Sequence, residues 1–217
     1  MTKHFQNELE KLKKKILYLA AKVEKNLQMA VRSFTDKDLN MANEVINSDP
    51  DIDSLEVEVE EECLKILALH QPVAADLRYI IAVLKINNDL ERIADMAVNI
   101  AERSKTLTYN SGPLIPFDLQ SMLEIAVKMV RDSVDALVKN STELARQVCI
   151  DDDAIDDRHR EVYKLAQEAI RKNPEYAEYY VSLISVSRNL ERIADHSTNI
   201  AEDVIYMIEG EIVRHQT

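Results

Sequence analysis

The sequence predicts an all-α protein made of two tandem antiparallel three-helix bundles related by pseudo-two-fold symmetry. Three observations carry that reading. The 217 residues include only two glycines and five prolines, too little punctuation for the many turns of a barrel, a sandwich or a doubly wound sheet. Hydrophobic residues make up 46 % and charged residues 30 %, with Leu, Ala, Glu and Ile abundant, a composition suited to long helices around a sizeable core. Finally, Leu90-Glu91-Arg92-Ile93-Ala94-Asp95 returns as Leu190-Glu191-Arg192-Ile193-Ala194-Asp195, and Asn99-Ile100-Ala101-Glu102 as Asn199-Ile200-Ala201-Glu202. Internal self-similarity of this kind marks a repeated structural unit.

Each element follows from spacing. Leu9, Leu12, Ile16, Leu19, Val23, Leu27, Ala30 and Phe34 recur at steps of three and four, which places them in one stripe of a long helix. Lys11, Lys14, Lys15, Glu24 and Lys25 are expected on its solvated face. Asp36 or Asp38 can cap a second helix from about Asp38 to Leu69, interrupted near Asp49-Pro50. Pro72 suits the first turn of a third helix running from about Val73 to Lys105, because its missing N–H has no partner there anyway. Asn110-Ser111-Gly112-Pro113 and Pro116 mark a linker over 106–116, between a first repeat at 1–105 and a second at 117–217. The second repeat reads as helices over roughly Phe117–Lys139, Thr142–Lys172 and Glu175–Val213, broken at Asn173-Pro174 and fraying at Gly210. Short turns make neighbouring helices antiparallel.

Charge and composition exclude several function classes. A net charge of −12 argues against nucleic-acid binding. No apolar run reaches the ~18 residues of a membrane span, and the N-terminus, with Lys3, His4 and Glu8, lacks a signal-peptide core. Cys63 and Cys149 are too few for a disulfide framework, so a cytoplasmic setting is expected. Both cysteines read as small buried residues.

The third helix carries a polar stripe beside its core seam of Leu90, Ile93, Ala97 and Ile100: Asn88, Glu91, Asp95 and Glu102, with Asn99 at its edge. Glu91 and Asp95 are four residues apart and share a helix face, although like charges so placed cost roughly 0.2–0.5 kcal/mol. Asp49 with Asp53, Asp152 with Asp156, and Glu191 with Asp195 repeat the spacing. Aligning Asp49 with Asp152, Ile52 with Ile155 and Asp53 with Asp156 makes these pairs equivalent in the two repeats. At an effective dielectric of ~20, two charges ~5 Å apart repel by roughly 3 kcal/mol, and four carboxylates contain six such pairs. Clustered acids therefore either hold protons or hold cations, and bridging carboxylates suit polynuclear sites of hard cations. Arg92 and Arg192 can neutralise part of the charge from one position off the stripe. A plainer account stays open for each pair: Asp49 as a helix cap, Asp51 and Asp53 as dipole partners, Asp151–Asp153 as an acidic helix start.

No other constellation carries chemistry. His70, His159 and His196 occupy unrelated repeat positions and read as ordinary polar residues. His159, three after Asp156, is placed to join the acids, and His196 is turned about 100° from Asp195. There is no Glu-x-x-His pair, no phosphate-cradling glycine loop and no nucleophile elbow. Ser187 has no evident base, so no catalytic residue is assigned.

Gln71-Pro72-Val73-Ala74-Ala75-Asp76-Leu77-Arg78, followed by the first copies of both motifs, resembles the first repeat of the PhoU family of phosphate-transport accessory and regulatory proteins. Asn189–Asp203, continuing to Tyr206, Gly210 and Val213-Arg214-His215, is similar to the end of the second. The resemblance implies two three-helix bundles without catalysis. It implies negative regulation of the phosphate-starvation response and of phosphate uptake, through the ATPase component of the phosphate ABC transporter and a phosphate sensor histidine kinase. It further implies a homodimer acting in the cytoplasm, peripheral to the inner membrane through its partners. The family's acidic motifs imply transition-metal clusters, of iron first and otherwise of zinc, manganese or nickel, on Asp49, Asp53, Glu91 and Asp95 and on Asp152, Asp156, Glu191 and Asp195. Two departures stand out. Ala94 and Ala194 replace a glycine common in the family, and Met96 stands where many members carry the histidine kept here as His196. Two other function classes fit the same residues: an enzyme built on a two-metal carboxylate site, and a metal-free helical scaffold.

Overall fold

The computed structural model describes residues 3–109, 112, 113 and 115–211. Every regular element among them is helical. Seven α-helices run in order: α1 (Lys3–Thr35), α2 (Leu39–Asn47), α3 (Asp49–His70), α4 (Ala74–Tyr109), α5 (Leu119–Lys139), α6 (Thr142–Lys172) and α7 (Ala177–Glu209), with one 3₁₀ turn at Pro174–Tyr176. The two bundles are thus α1 with α2–α3 and α4, then α5 with α6 and α7.

The expected stripe of α1 is the core: Leu12, Ile16, Leu19, Val23, Leu27 and Ala30 are buried, and Leu9 and Phe34 pack against them at its ends. Its polar face is only partly solvated. Lys15 reaches Glu58 of α3 at 2.9 Å, and Glu24 reaches Arg131 of α5 at 3.5 Å. These two side chains lie on the flank that the neighbouring helices cover, a fact that periodicity within one helix does not contain.

Asp38 caps α2, accepting hydrogen bonds from the backbone N–H groups of Asn40 and Met41. Ser48 then separates α2 from α3, where the sequence suggests one interrupted helix. The amide of Asn26 donates to the Ser48 hydroxyl at 2.7 Å, and that hydroxyl donates to the carbonyl of Val45. The break is therefore held from α1, and it sets the position of Asp49 at the first turn of α3. In the second repeat α6 is unbroken, so Asp152 lies within a continuous helix. Pro50, absent from the second repeat, is the local reason for the difference.

Several boundaries shift. Pro72 lies before α4 rather than in its first turn, because Gln71 (φ 45°) and Ala74 (φ 50°) take left-handed backbone on either side of it. Gln71 is the exposed C-cap of α3, and a side chain in that region costs roughly 1–2 kcal/mol. Gln71→Gly is expected to raise stability by about 1 kcal/mol, read from the midpoint of urea denaturation; an unchanged midpoint would count against the strain. At its other end α4 runs to Tyr109 rather than Lys105, since Leu107 is still in the core. Asp118 caps α5, accepting from the N–H of Ser121, so α5 starts at Leu119. The last helix begins at Ala177 after the 3₁₀ turn and ends at Gly210, whose φ of 78° makes it a left-handed C-cap instead of a fraying point. Within the expected linker and terminus, Asn110, Ser111 and Val213-Arg214-His215 lie outside the described residues.

The two repeats meet through α4 and α7, the most extensive helix contact in the molecule. Buried Asp203 of α7 pairs with Lys85 of α4 at 3.0 Å. Asp89 of α4 accepts from His196 at 2.8 Å and from Asn199 at 3.3 Å. The guanidinium of Arg78, the last residue of the Gln-Pro signature, lies against Gly210, its Cζ 3.5 Å from where a Cβ would stand. There a cation sits beside the carbonyl end of α7, the favourable sign for a helix C-terminus.

Candidate metal centres

The packing of α3 on α4 and of α6 on α7 decides where the acidic pairs go. Their helices carry the apolar seam inward: Ile52 and Ile155 are buried, as are Leu90, Ile93, Leu190 and Ile193. The carboxylates displaced from that seam come to lie along two furrows, one per repeat, half in solvent.

In the first furrow Asp49 and Asp53 of α3 act on Glu91 and Asp95 of α4. Burial raises the Asp49 carboxyl above its ordinary range, and the charges of Asp53 and Asp95 raise it further. Burial also raises Glu91, reinforced by Asp95 and opposed by Arg92, with Glu56 and Asp53 adding to the rise. Arg92 bridges this group, 3.2 Å from Glu91 and 3.0 Å from Asp95. It neutralises part of the stripe although it is one position off it, because its long side chain reaches from Glu91 forward to Asp95. Glu56, one turn beyond Asp53, is a member that sequence reasoning missed; its Oε1 and backbone carbonyl both accept from the Asn87 amide. Oδ1 of Asp49 is buried with no hydrogen-bond donor, and Oε2 of Glu91, also buried, has only the Arg92 ion pair at 3.2 Å.

The second furrow is more strongly perturbed. Asp152 is pushed up to about 6 by burial and by Asp195 and Asp156, with Thr198 offsetting part of the rise. Asp195 is likewise pushed up to about 6, by burial and then by Glu191 and Asp156. Burial and Asp156 raise Glu191 as well. No arginine or lysine bridges Glu191 or Asp195 among the described residues; Arg160 stands 3.5 Å from Asp156 at the rim. Oδ1 of Asp152 has no donor. Cys149 sits one turn before Asp152, half-buried rather than fully buried, and burial with the charges of Glu202 and Asp152 pushes its thiol up to about 11. Its i−3 spacing from Asp152 was the available signal. Asp151, by contrast, turns to Lys128 and Gln147.

The chemistry of the donors fits metal. Orphaned acid oxygens and raised carboxyl groups on facing helices form an oxygen-rich surface short of positive charge, which several hard or borderline cations can fill. The eight carboxylates do not converge on single-ion spheres. Among the described residues, the one set of three His, Cys, Asp or Glu side chains with all ligand atoms within 4.8 Å of one another is His4, Glu8 and His70.

Two histidines near the acids make their hydrogen bonds elsewhere. Nδ1 of His159 meets Oγ of Ser187 at 2.8 Å, so Ser187 does have a base beside it, contrary to the sequence reading. That hydroxyl also donates to the carbonyl of Ile184 and is fully buried, while His159 is half-buried. His196 joins Asp89 across the repeats. Cys63 is buried, with its thiol pushed up to about 12. Ala94 and Ala194 are packed with almost no exposed surface, as is Met96.

The PhoU domain family matches this chain twice, over residues 16–104 and 119–204. The phosphate-specific transport system accessory protein PhoU homolog of Aquifex aeolicus is 39 % identical over 210 residues, covering 96 % of this chain and 95 % of that protein. The crystal structure of PhoU from Pseudomonas aeruginosa superposes with a TM-score of 0.93 at 34 % identity, covering 95 % of this chain and 100 % of that one. The phosphate transport system regulatory protein PhoU from Streptococcus pneumoniae gives 0.85 at 28 % identity, over 96 % and 99 %.

Proposed function

The chain belongs to the PhoU family, and we propose that it is a non-catalytic negative regulator of phosphate uptake and of the phosphate-starvation response. The observation that carries this reading is the paired PhoU domain match together with relatives of nearly equal length named as phosphate-transport accessory proteins. It acts by contact: helical faces engage the ATPase component of the phosphate ABC transporter and the phosphate sensor histidine kinase. It works as a homodimer on the cytoplasmic face of the inner membrane, held there by its partners. No helix among the described residues is long and apolar enough to cross a membrane. A non-catalytic role agrees with the burial of Ser187, the hydroxyl paired with His159.

Asp49, Asp53, Glu91 and Asp95 would hold one cluster of transition-metal ions, iron first, and Asp152, Asp156, Glu191 and Asp195 the other. Bound ions supply the positive charge these furrows lack. The residues' own part is to tie α3 to α4 and α6 to α7 through their carboxylates, and so to stiffen the faces offered to partners. Deleting the gene and measuring a phosphate-regulon reporter in high phosphate tests the proposal. Derepression of the reporter is expected; fully repressed output would overturn it.

A further inference from the structure

His4 and Glu8 stand one helical turn apart at the start of α1, and His70 closes the end of α3 against them. Nε2 of His70 lies 2.6 Å from Oε2 of Glu8, and Nε2 of His4 lies 3.4 Å from its Oε1. The i,i+4 spacing aims His4 and Glu8 to one side of α1. The ring of Phe5 packs on His70 with centroids 5.0 Å apart, which fixes the plane of that imidazole. Glu8 is buried while the His4 ring is 74 % exposed, so the cluster is anchored on one side and open to solution on the other.

We propose that His4, Glu8 and His70 form a binding site for a divalent transition cation of the zinc class, which staples the start of α1 to the end of α3. Two imidazoles and one carboxylate suit zinc better than magnesium or calcium, which prefer all-oxygen shells. A tetrahedral zinc with arms of ~2.0–2.1 Å has ligand-to-ligand edges of roughly 3.3–3.4 Å. His4 already stands at that length from Oε1, whereas His70 contacts Oε2, so the Glu8 carboxylate must turn to offer one oxygen to both imidazoles once the proton between Glu8 and His70 leaves. The fourth position is left to water. Lys65 is the resident counter-charge, 3.3 Å from Oε1 of Glu8. Its side chain is half-exposed and also 3.1 Å from Glu62, so it has somewhere to go when a cation enters. The site differs from the acidic furrows in its helices and its nitrogen donors. The second repeat has no described equivalent, since His159 and His196 are engaged with Ser187 and Asp89.

Zinc-edge X-ray absorption on the full-length chain, stripped with chelator and reloaded with Zn²⁺, tests the proposal. Imidazole scattering from bound zinc is expected. Because losing even a group that supports a ligand costs 10–100-fold in affinity, His4→Ala and His70→Ala should each weaken zinc binding at least about tenfold and reduce that scattering. Glu91→Ala/Asp95→Ala should retain the scattering. His4 is exposed, so its alanine variant keeps the fold, checked by circular dichroism, even where His70→Ala does not. Zinc bound by oxygen alone in the unaltered chain would overturn the proposal, as would undiminished imidazole scattering in His4→Ala.

Discussion

Glu191→Ala/Asp195→Ala is expected to lose most of the transition metal carried on α6 and α7, and to lose more than Glu91→Ala/Asp95→Ala loses on α3 and α4. Both substitutions remove half of one carboxylate group. The difference lies in the resident charge. Arg92 already bridges Glu91 and Asp95, whereas Glu191 and Asp195 have no arginine or lysine bridge among the described residues. A cation entering the first furrow competes with that guanidinium; one entering the second meets acids raised in pKa, which Arg192 and Arg188 offset only from a distance without an ion pair. The second furrow should therefore bind more tightly and release its metal last during chelator titration. Arg92→Ala should narrow the gap by freeing the first furrow. Both double variants should stay helical, because removing like charges relieves repulsion rather than opening a core. Elemental analysis of protein purified without chelator reads the outcome. Unaltered metal stoichiometry in Glu191→Ala/Asp195→Ala would remove these residues as ligands, and simultaneous loss from both furrows would remove the role given to Arg92.

The architecture was legible because it is written in local signals. A three-and-four spacing placed Leu12, Ile16, Leu19 and Leu27 in the core, and capping chemistry at Asp38 and the proline at Pro50 marked the helix starts near them. The boundaries that moved depend on contacts between helices: α4 continues because Leu107 finds a core beyond its own repeat of spacing. The acidic pairs were legible as pairs for the same reason, but their neighbours were not. Arg92, expected as a partial counter-charge, is the exception; Glu56 and Cys149 join the furrows through side-chain reach and helix crossing, which one helix's periodicity does not encode. His70 illustrates the limit most clearly. The His4–Glu8 spacing was visible within α1, yet its third partner lies 62 residues away at the end of α3.

Freed of metal, the chain should lose stability as pH rises from about 4 to about 6, and Asp152→Asn/Asp195→Asn should recover that loss. Both carboxyl groups are pushed up to about 6 in the folded chain, from 3.8 when unperturbed. Between those values the folded state binds more protons than the unfolded chain, so raising the pH favours unfolding. The penalty is absent below about 3.8 and complete above about 6. A shift of this size is roughly 3 kcal/mol per group in a dry setting, but Asp195 keeps an exposed flank and the two titrate together. Screening and coupling leave roughly 2 kcal/mol for the pair. At pH 7.5 the asparagine variant should thus exceed the parent by roughly that amount in urea denaturation, with the difference vanishing towards pH 4. Added metal should reverse the order at pH 7.5, because the parent alone keeps the carboxylates that cations neutralise. Equal stability of the two metal-free proteins across this range would mean that Asp152 and Asp195 are ionised without cost, and the furrow would then have no electrostatic need of a cation.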